Sequence, residues 1–362
     1  MTISKKKLLK KPKIKDYTFL DDRPERYNRP DLPKPDLPKV IVILGPTASG
    51  KTTLGIKFAQ KFNGEIISAD SRQIYRGLDI GTAKPQRDIR NSKFEIRNYI
   101  SDAIPHHLIN IRNPDQPYTV AQYKRDCLKA IRAILSKNKL PVIVGGTGLY
   151  IKAVVDNLTI PRAKADPLLR KELESELENR GLQFLYNELI ALDPEAAYII
   201  DPKNPRRVIR ALEIALSTKK PFSGTRRQGK PLFDFLQIGI SSPKEKLKER
   251  INRRIDAMIE EGLVNEVRSL IKKYPAKLIA FEALGYREII DYLQGKSSLE
   301  DAVELMKKNT WQFAKRQLTW FRKVEPRGQT GKITRRGVIP RGAESRTEGR
   351  TKGKYLETSK RP

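Results

Sequence analysis

The sequence is poor in the residues that build disulfides and metal centres. Its 362 residues include one cysteine, Cys127, and two histidines, His106 and His107. One thiol cannot form an intramolecular disulfide, and this set cannot complete a Cys/His zinc finger. Cys127 lies in a segment of helical periodicity and is interpreted as a buried, unreactive thiol. The composition therefore favours a reducing compartment, and we expect a cytoplasmic protein.

Long apolar runs and acidic residues are also scarce. No run is long enough to span a membrane, and no apolar segment follows the N-terminal lysines, so neither a membrane span nor a secretory signal is expected. Lysine and arginine number 73 against 42 acidic residues, a formal charge of +31. Such a charge attracts polyanions, with nucleic acid as the first candidate. The alternative is a charged surface that only aids solubility.

The two terminal segments differ in composition from the rest of the chain. Residues 1–39 are rich in lysine and proline and carry a net charge of +6, and residues 326–362 carry +8. Neither segment shows hydrophobic periodicity, so both are predicted to be disordered basic tails. The remaining charge of +17 belongs to residues 40–325, so the folded body is itself basic.

The body begins with alternating strand and helix patterns. Between residues 40 and 160, the apolar runs KVIVIL, EIISA and LPVIVG suit buried parallel strands, and helical patterns lie between and after them. This alternation predicts an α/β fold with a doubly wound parallel sheet of the P-loop NTPase type. Residues 40–160 would form the first part of that core.

The pattern becomes helical after residue 160. Residues 161–203 are predicted to form a helical insertion domain, and residues 204–325 to return to the core. That second part would contain a strand at 234–241 and long helices at 243–274 and 299–324. The two histidines are placed in a loop with a structural role. Phe313 and Trp320 share a helix face with Gln317 and are interpreted as core residues, with stacking on RNA bases as the alternative.

The segment GPTASGKT matches the phosphate-binding pattern G-x-x-x-x-G-K-[ST], with a strand before it and a helix after it. In this pattern the glycines allow backbone N–H groups to turn toward an anion. Lys51 supplies a charge to the outer phosphates, and the Thr52 hydroxyl is a ligand for Mg²⁺. The predicted phosphate-binding residues are Gly45, Pro46, Thr47, Ala48, Ser49, Gly50, Lys51 and Thr52.

The position of an acidic residue favours a transferase over a hydrolase. A nucleotide hydrolase needs an acid after another apolar strand, but LPVIV is followed by Gly145, Gly146 and Thr147. Asp70 instead follows the strand after the first helix. A carboxylate there can accept a proton from an acceptor substrate. The alternative interpretation of Asp70 is a helix N-cap.

The order of motifs resembles that of the tRNA dimethylallyltransferases, the IPP transferase family. The nine matching motifs are GPTASGKT, SADSRQIYRGLDIGTAKP, PHHLIN, YTVAQY, VGGTGLYI, ADPLLR, NPRRVIRALEI, ALGYRE and AKRQLTWFR, within residues 40–325. The resemblance implies transfer of a dimethylallyl group from dimethylallyl diphosphate to N6 of an adenosine beside the anticodon of tRNA. It also implies a monomer that binds the anticodon stem-loop.

The same resemblance implies roles for individual residues. Asp70 would be the general base, with Lys51, Thr147 and Arg170 also in the catalytic site and Mg²⁺ at Thr52. Whether Arg170 or Arg210 reaches the diphosphate stays open. The residues that match tRNA-contacting positions are Asp70, Ser71, Arg72, Gln73, Thr147, Arg170, Arg206, Arg207, Val208, Ile209, Arg210, Glu282, Ala283, Leu284, Gly285, Tyr286 and Arg287.

Two other functions fit parts of the pattern. A small-molecule or nucleoside kinase also carries a phosphate loop and an acid after the second strand. An RNA-binding protein with a relict loop would explain the charge alone. The tail after residue 325 has no Cys/His finger.

Overall fold

The computed structural model describes residues 37–88, 99–161, 166–225, 228–240, 242–323, 330–334 and 337–340. The described residues from Pro38 onward belong to one compact unit. Within the described ranges, no helix is long and apolar enough to cross a membrane.

The described residues contain one mixed sheet. Its strands are β1 (Lys39–Leu44), β2 (Gly64–Ala69), β3 (Tyr99–Ser101), β4 (Ile104–His107), β5 (Leu140–Gly145), β6 (Asp234–Ile240), β7 (Thr330–Thr334) and β8 (Gly337–Pro340). They lie in the order β3-β4-β2-β5-β1-β6-β7-β8. The pairs β3–β4 and β7–β8 at the two edges are antiparallel, and the other pairs are parallel. The predicted parallel sheet is therefore confirmed for the inner strands.

Helices connect and cover these strands. They are α1 (Lys51–Lys61), α2 (Val120–Leu135), α3 (Gly148–Val155), α4 (Pro167–Leu192), α5 (Pro205–Thr218), α6 (Lys244–Glu260), α7 (Leu263–Lys273), α8 (Tyr286–Leu293) and α9 (Leu299–Lys323). Helix α2 shows how local sequence sets a boundary. The Thr119 side chain accepts from Gln122 N–H, and the Gln122 side chain accepts from Thr119 N–H. This reciprocal capping starts the helix.

The sheet is covered on both faces because strand side chains alternate in direction. Val40 and Val42 of β1 pack in a cluster with α2 and α3 residues. Ile41 and Ile43, between and after them, pack in a second cluster with Ala59 of α1. Helices therefore lie on both faces, as predicted for a doubly wound sheet.

The buried face of α2 includes the single cysteine. Cys127 is fully buried, and burial raises the pKa of its thiol to about 12. A thiol held in its neutral form is a poor nucleophile. The interpretation of Cys127 as a buried, unreactive thiol is confirmed.

The helical segment after residue 160 packs around its own core. Helix α4 is kinked at Gly181, whose φ of 79° and ψ of 169° are not helical. Its residues Leu173 and Leu189 share a hydrophobic cluster with Val208 and Leu212 of α5. Helix α5 therefore packs with the insertion, although the sequence pattern placed it in the second part of the core.

Three local predictions are wrong. The helix expected at 243–274 is broken at Gly262, where φ is 99° and a new helix begins. His106 and His107 lie in strand β4 rather than a loop, and His107 Nε2 lies 2.7 Å from a carboxylate oxygen of buried Glu65. Strands β7 and β8 lie within the C-terminal tail that was predicted to be disordered. The rest of that tail and residues 1–36 are outside the described residues.

Candidate active site

The loop between β1 and α1 contains two residues with positive φ. Ala48 has a φ of 59° and Gly50 a φ of 86°, both left-handed. Helix α1 begins at Lys51, and no side chain caps it at Gly50. The N–H groups of the first helical turn, with the positive end of the helix dipole, can therefore bind an anion.

Lys51 lies in this loop with an altered pKa. Its Nζ donates to the carbonyl oxygen of Pro46 at 3.2 Å. Burial lowers the pKa of Lys51 to about 8; the charge of Asp70 opposes this shift, and that of Arg254 adds to it. Ser49 Oγ in the same loop is buried without a hydrogen-bond partner among the described residues. An anion bound in the loop would compensate the charge of Lys51 and give Ser49 Oγ a hydrogen-bond partner.

The ends of β2 and β5 meet beside this loop. Asp70 Oδ1 accepts hydrogen bonds from the backbone N–H of Arg72 at 2.8 Å and of Gln73 at 3.4 Å. Thr147, directly after Gly145 and Gly146, accepts from Ser71 N–H at 3.1 Å. Asp70 therefore caps the turn after β2 while lying at the carboxyl edge of the sheet.

A residue that the helical pattern assigned to the core ties these loops together. Gln317 of α9 accepts from Thr47 N–H at 2.8 Å and donates to Gly146 O at 2.9 Å. A Cβ atom at Gly146 would overlap Gln317, and one at Gly148 would overlap Trp320. The glycines after β5 therefore let α9 approach the sheet edge closely. The motif RQLTW contains both Gln317 and Trp320, but the residues that they contact lie far away in the sequence.

One cavity of about 380 Å³ brings together Thr47 of the phosphate loop, the ends of β2 and β5, and Gln317. The other predicted phosphate-binding residues, Lys51 among them, do not line it. Its polar wall comes from the phosphate loop and from the ends of β2 and β5. The sequence-predicted site residues that line it are Thr47, Asp70, Ser71, Arg72, Thr147, Arg206, Glu282, Ala283 and Leu284. The lining residues that the sequence did not indicate as site residues are Gly81, Thr82, Ala83, Ile251, Arg254, Ile255, Met258, Met306, Thr310, Phe313, Arg316 and Gln317. The interpretation of Phe313 as core is therefore corrected.

Arg170 and Arg210 lie elsewhere and pair with a third residue. The fully buried carboxylate of Glu213 lies 2.6 Å from Arg170 and 2.8 Å from Arg210. Burial opposes ionisation of Glu213, but hydrogen bonds from the two arginines outweigh it and lower the carboxyl pKa. Neither arginine lines the cavity. The Arg170 pair joins α4 to α5, and the Arg210 pair lies within α5.

Three residues predicted to contact tRNA have buried side chains. Val208 and Ile209 lie in the hydrophobic cluster of the insertion. Tyr286 is fully buried, and its hydroxyl donates to Glu266 at 2.6 Å. The assignment of these side chains to RNA contact is corrected, because each one packs in a core. Of the remaining candidates, Gly285 is also buried, Gln73 donates to Thr82 O, and Arg207 and Arg287 are exposed outside the cavity lining.

Glu266 of α7 holds a segment that forms another part of the cavity wall. Its carboxylate accepts from the backbone N–H groups of Asp79, Ile80 and Gly81 at 3.1, 2.8 and 3.4 Å. Together with the Tyr286 hydroxyl, these contacts fix the chain that supplies Gly81 to the cavity. The motif GYRE therefore supports the site through packing.

The site offers few ligands for a metal. Thr52 lies at the start of α1 and is partly exposed. The described residues contain no group of three or more His, Cys, Asp or Glu side chains that could hold a metal ion. Mg²⁺ commonly takes one or two protein ligands and the rest from substrate phosphates and water. The residues present fit a Mg²⁺ ion that arrives with a phosphorylated substrate.

Comparison with known proteins finds similarity to one family. The family model described as IPP transferase matches residues 73–324, and the model described as isopentenyl transferase matches residues 38–103. A tRNA dimethylallyltransferase of Acetivibrio thermocellus is 48% identical over 290 residues, which cover 79% of this chain and 89% of that protein. The corresponding protein of Geobacillus thermodenitrificans is 44% identical, with 80% and 89% covered.

Similar solved structures come from the same family of enzymes. A tRNA isopentenylpyrophosphate transferase from Bacillus halodurans is 40% identical, with a TM-score of 0.57, and covers 81% of this chain and 89% of its own. A eukaryotic dimethylallyltransferase described as acting on tRNA is 32% identical, with a TM-score of 0.62 and coverages of 78% and 70%. With this identity and coverage across the phosphate loop, the sheet and the C-terminal helices, the chain belongs to the IPP transferase family.

Proposed function

We propose that this protein transfers a dimethylallyl group from dimethylallyl diphosphate to N6 of an adenosine beside the anticodon of tRNA. The observation that carries the proposal is one cavity lined by Thr47 of the phosphate loop, Asp70, and an apolar wall that includes Ile255 and Met258. Prenyl transfer requires groups that bind the diphosphate, a base, and an apolar surface that contacts the prenyl chain. Membership of the family and the names of the relatives support this activity.

The chemical step is a substitution at the allylic carbon. The N6–C1 bond forms as the C1–O bond to diphosphate breaks, and the N6 proton passes to the Asp70 carboxylate. An allylic carbon tolerates positive charge, so stabilisation of the leaving diphosphate dominates the barrier. The exocyclic amine of adenine is a poor nucleophile, and a base that removes its proton during bond formation offsets this weakness.

The phosphate loop stabilises the leaving group. We expect the N–H groups at the start of α1, which no side chain caps, and the Lys51 ammonium to bind diphosphate oxygens. Binding of a polyanion would raise the depressed pKa of Lys51, so the ammonium is retained in the complex. Thr52 would hold Mg²⁺, which neutralises charge on the departing diphosphate. Chelation of Mg²⁺ would therefore abolish transfer.

The RNA side of the cavity is basic. Arg72, Arg206 and Arg316 line it, and the Arg206 side chain is 84% exposed. Exposed arginines suit contacts with RNA phosphates. An adenosine in the anticodon loop must leave its stack to reach Asp70, as other base-modifying enzymes require. The buried single cysteine fits work in a reducing compartment, and we propose a cytoplasmic monomer.

A transfer assay tests this proposal. The full chain is incubated with Mg²⁺, dimethylallyl diphosphate labelled in the prenyl group, and tRNA, and in parallel with γ-labelled ATP and the same tRNA. The proposal predicts prenyl label on the RNA and no phosphate transfer from ATP. Phosphate transfer would support a kinase instead, and RNA binding without either product would support a relict phosphate loop.

A further inference from the structure

Two buried methionines line the apolar part of the cavity. Met258 of α6 and Met306 of α9 both line it, and they are only 7% and 2% exposed. Arg206 and Glu282 line the same cavity, but their side chains are 84% and 45% exposed. The exposed pair therefore marks the opening of the cavity, and the two methionines belong to its closed side.

Gly285 gives space to one of these methionines. Its φ is 90°, in the left-handed region, and a Cβ atom at this position would lie 2.6 Å from Met306 Cε. Carbon atoms in favourable contact lie about 3.5–4.0 Å apart, so any larger residue would displace the end of Met306. Gly285 matches a tRNA-contacting position of the family, but it is buried. The space that it leaves for Met306 accounts for this glycine instead.

A buried carboxylate fixes Met306 relative to Gly285. Glu288 of α8 is 1% exposed and accepts hydrogen bonds from Gly285 N–H at 2.8 Å and from Asn309 Nδ2 at 2.7 Å. Asn309 follows Met306 by one turn of α9. The glycine and the helix that carries the methionine are therefore joined through one acceptor, which holds Met306 at a defined place in the cavity wall.

An ion pair joins the two helices that carry the methionines. Lys307 Nζ of α9 lies 2.9 Å from Asp256 Oδ1 of α6. Lys307 follows Met306 directly, and Asp256 lies two positions before Met258. The ion pair therefore connects α6 and α9 at the level of both methionines, and it opposes any separation of the helices that would enlarge the closed side of the cavity.

The chemistry of this methionine wall, Met258 and Met306, selects an apolar ligand. A thioether is a weak hydrogen-bond acceptor and carries no donor. Adenine has a polar edge of N–H groups and ring nitrogens, and burial of that edge against two methionines would leave it without partners. The prenyl chain has no polar group. It is therefore the part of the two substrates that the methionine wall can contact without loss of hydrogen bonds.

We infer that Met258 and Met306 determine the chain length of the prenyl donor, because they close the cavity beyond the dimethylallyl group. The inference rests on the proposed function, since it concerns the donor of that reaction. Geranyl diphosphate has the same reactive end and one further isoprene unit. Its C1–O bond would break and an N6–C1 bond would form in the same way, with the N6 proton passing to Asp70. The methionine wall excludes the longer chain and leaves the chemical step unchanged.

A competition between two donors tests this inference. The wild type, Met306→Ala and Met258→Ala are each incubated with Mg²⁺, tRNA and equal concentrations of dimethylallyl diphosphate and geranyl diphosphate. Mass spectrometry then quantifies the two prenylated adenosines. We expect the wild type to form almost only the dimethylallyl product. Each variant should raise the ratio of geranyl to dimethylallyl product about 10-fold to 100-fold, because a shorter side chain opens the closed side of the cavity.

Two control variants separate selection of chain length from structural damage. Leu270→Ala removes a buried side chain from the same hydrophobic cluster but outside the cavity lining. Met306→Leu keeps a side chain of similar volume. Both should give a product ratio close to that of the wild type. Since the two donors compete for the same enzyme molecules, the ratio does not depend on the fraction of each variant that is folded.

An unchanged product ratio in both methionine variants would overturn the inference. Weaker tRNA binding by Met306→Ala at an unchanged ratio would also overturn it, since Met306 would then contact the adenosine. Failure of the proposed function has a different outcome, in which the wild type transfers neither prenyl group to tRNA. In that case calorimetry with Mg²⁺ and each donor still tests the selection. Met306→Ala should gain affinity for geranyl diphosphate relative to dimethylallyl diphosphate, and an unchanged relative affinity would contradict the inference.

Discussion

At the scale of single residues, Asp70 carries two tasks that substitution can separate. Its Oδ1 caps the turn after β2, and its carboxylate is the proposed base. Asp70→Asn keeps an oxygen acceptor for the turn but cannot take a proton at neutral pH. We expect turnover to fall about 100-fold to 10,000-fold with tRNA affinity unchanged, as measured by single-turnover prenyl transfer and filter binding.

Asp291→Asn is a suitable control, because the Asp291 side chain is 38% exposed and pairs with exposed Lys296 outside the cavity lining. Turnover of Asp70→Asn close to that of the wild type would remove Asp70 from the role of base. A variant that instead fails to bind tRNA would show that the cap is the main task of Asp70.

The pKa of Lys51 predicts a pH dependence of donor binding. The pKa of Lys51 is about 8 in the free protein, so the ammonium is charged below pH 8 and loses its charge as the pH rises above it. We expect 1/KM for dimethylallyl diphosphate to fall above pH 8, by up to about tenfold per pH unit for one ionisation. Lys51→Arg, whose guanidinium stays charged, should shift this fall out of the measured range. A flat profile up to pH 10 in the wild type would contradict the assignment.

The residues differ in how far the sequence could predict them. Asp70 and the phosphate loop were predictable because their signals are local: an acid after a strand, and glycines at fixed spacing before a helix. Gln317 was not, because it reaches Thr47 across 270 positions. The sequence indicated Arg170 and Arg210 as candidate site residues, but in the structure both pair with Glu213, which is buried on α5.

At the scale of elements, Glu213 joins the two helices of the insertion. Its side chain is fully buried between Arg170 of α4 and Arg210 of α5. Removing one partner of such a cluster typically costs about 3–5 kcal/mol, since the remaining charges lose their compensation. We expect Glu213→Gln to lower the free energy of unfolding by this order in urea titrations. Glu176→Gln, which removes the exposed pair with Arg180 on the same α4, should change it by less than about 1 kcal/mol.

The same cluster predicts a response to acid. Because the pKa of Glu213 is lowered in the folded protein, its contribution is present above the unfolded value of 4.5 and is lost as pH falls below it. The difference in unfolding free energy between wild type and Glu213→Gln should therefore shrink on acidification. An equal difference at pH 7 and pH 3 would show that the carboxylate charge is not what joins the helices.

Inner elements were predictable and edge elements were not. Strands β1, β2 and β5 are buried on both faces, so apolar residues dominate their sequences. Strand β4 has the sequence IPHH. His106 is buried and His107 contacts Glu65, and the periodicity of the sequence reveals neither. The break between α6 and α7 escaped prediction because the apolar period continues past Gly262, whose positive φ alone ends the helix.

At the scale of the whole molecule, the excess of positive charge is spread over the body and the tails. The body of residues 40–325 carries +17, and residues 1–36 and 341–362 together carry +9. Removing only these two segments preserves β7 and β8, which extend the sheet from β6.

We expect this truncation to weaken tRNA binding and to make it less sensitive to salt. Every RNA phosphate that the shortened protein no longer neutralises reduces the slope of log K against log salt by about 0.7–0.9. The catalytic rate at saturating tRNA should be unchanged. An identical salt dependence in the truncated protein would show that the tails do not bind RNA phosphates.

The central claim concerns the whole molecule: the phosphate loop grips a leaving diphosphate while Asp70 faces a tRNA adenosine across the same cavity. The most direct test is digestion of tRNA after incubation with the protein, Mg²⁺ and dimethylallyl diphosphate, followed by mass spectrometry of the nucleosides and of the anticodon-loop fragment. The account predicts N6-dimethylallyladenosine at the position beside the anticodon, absent with Asp70→Asn on the same timescale. Unmodified tRNA, or a prenyl group on any other nucleoside, would contradict it.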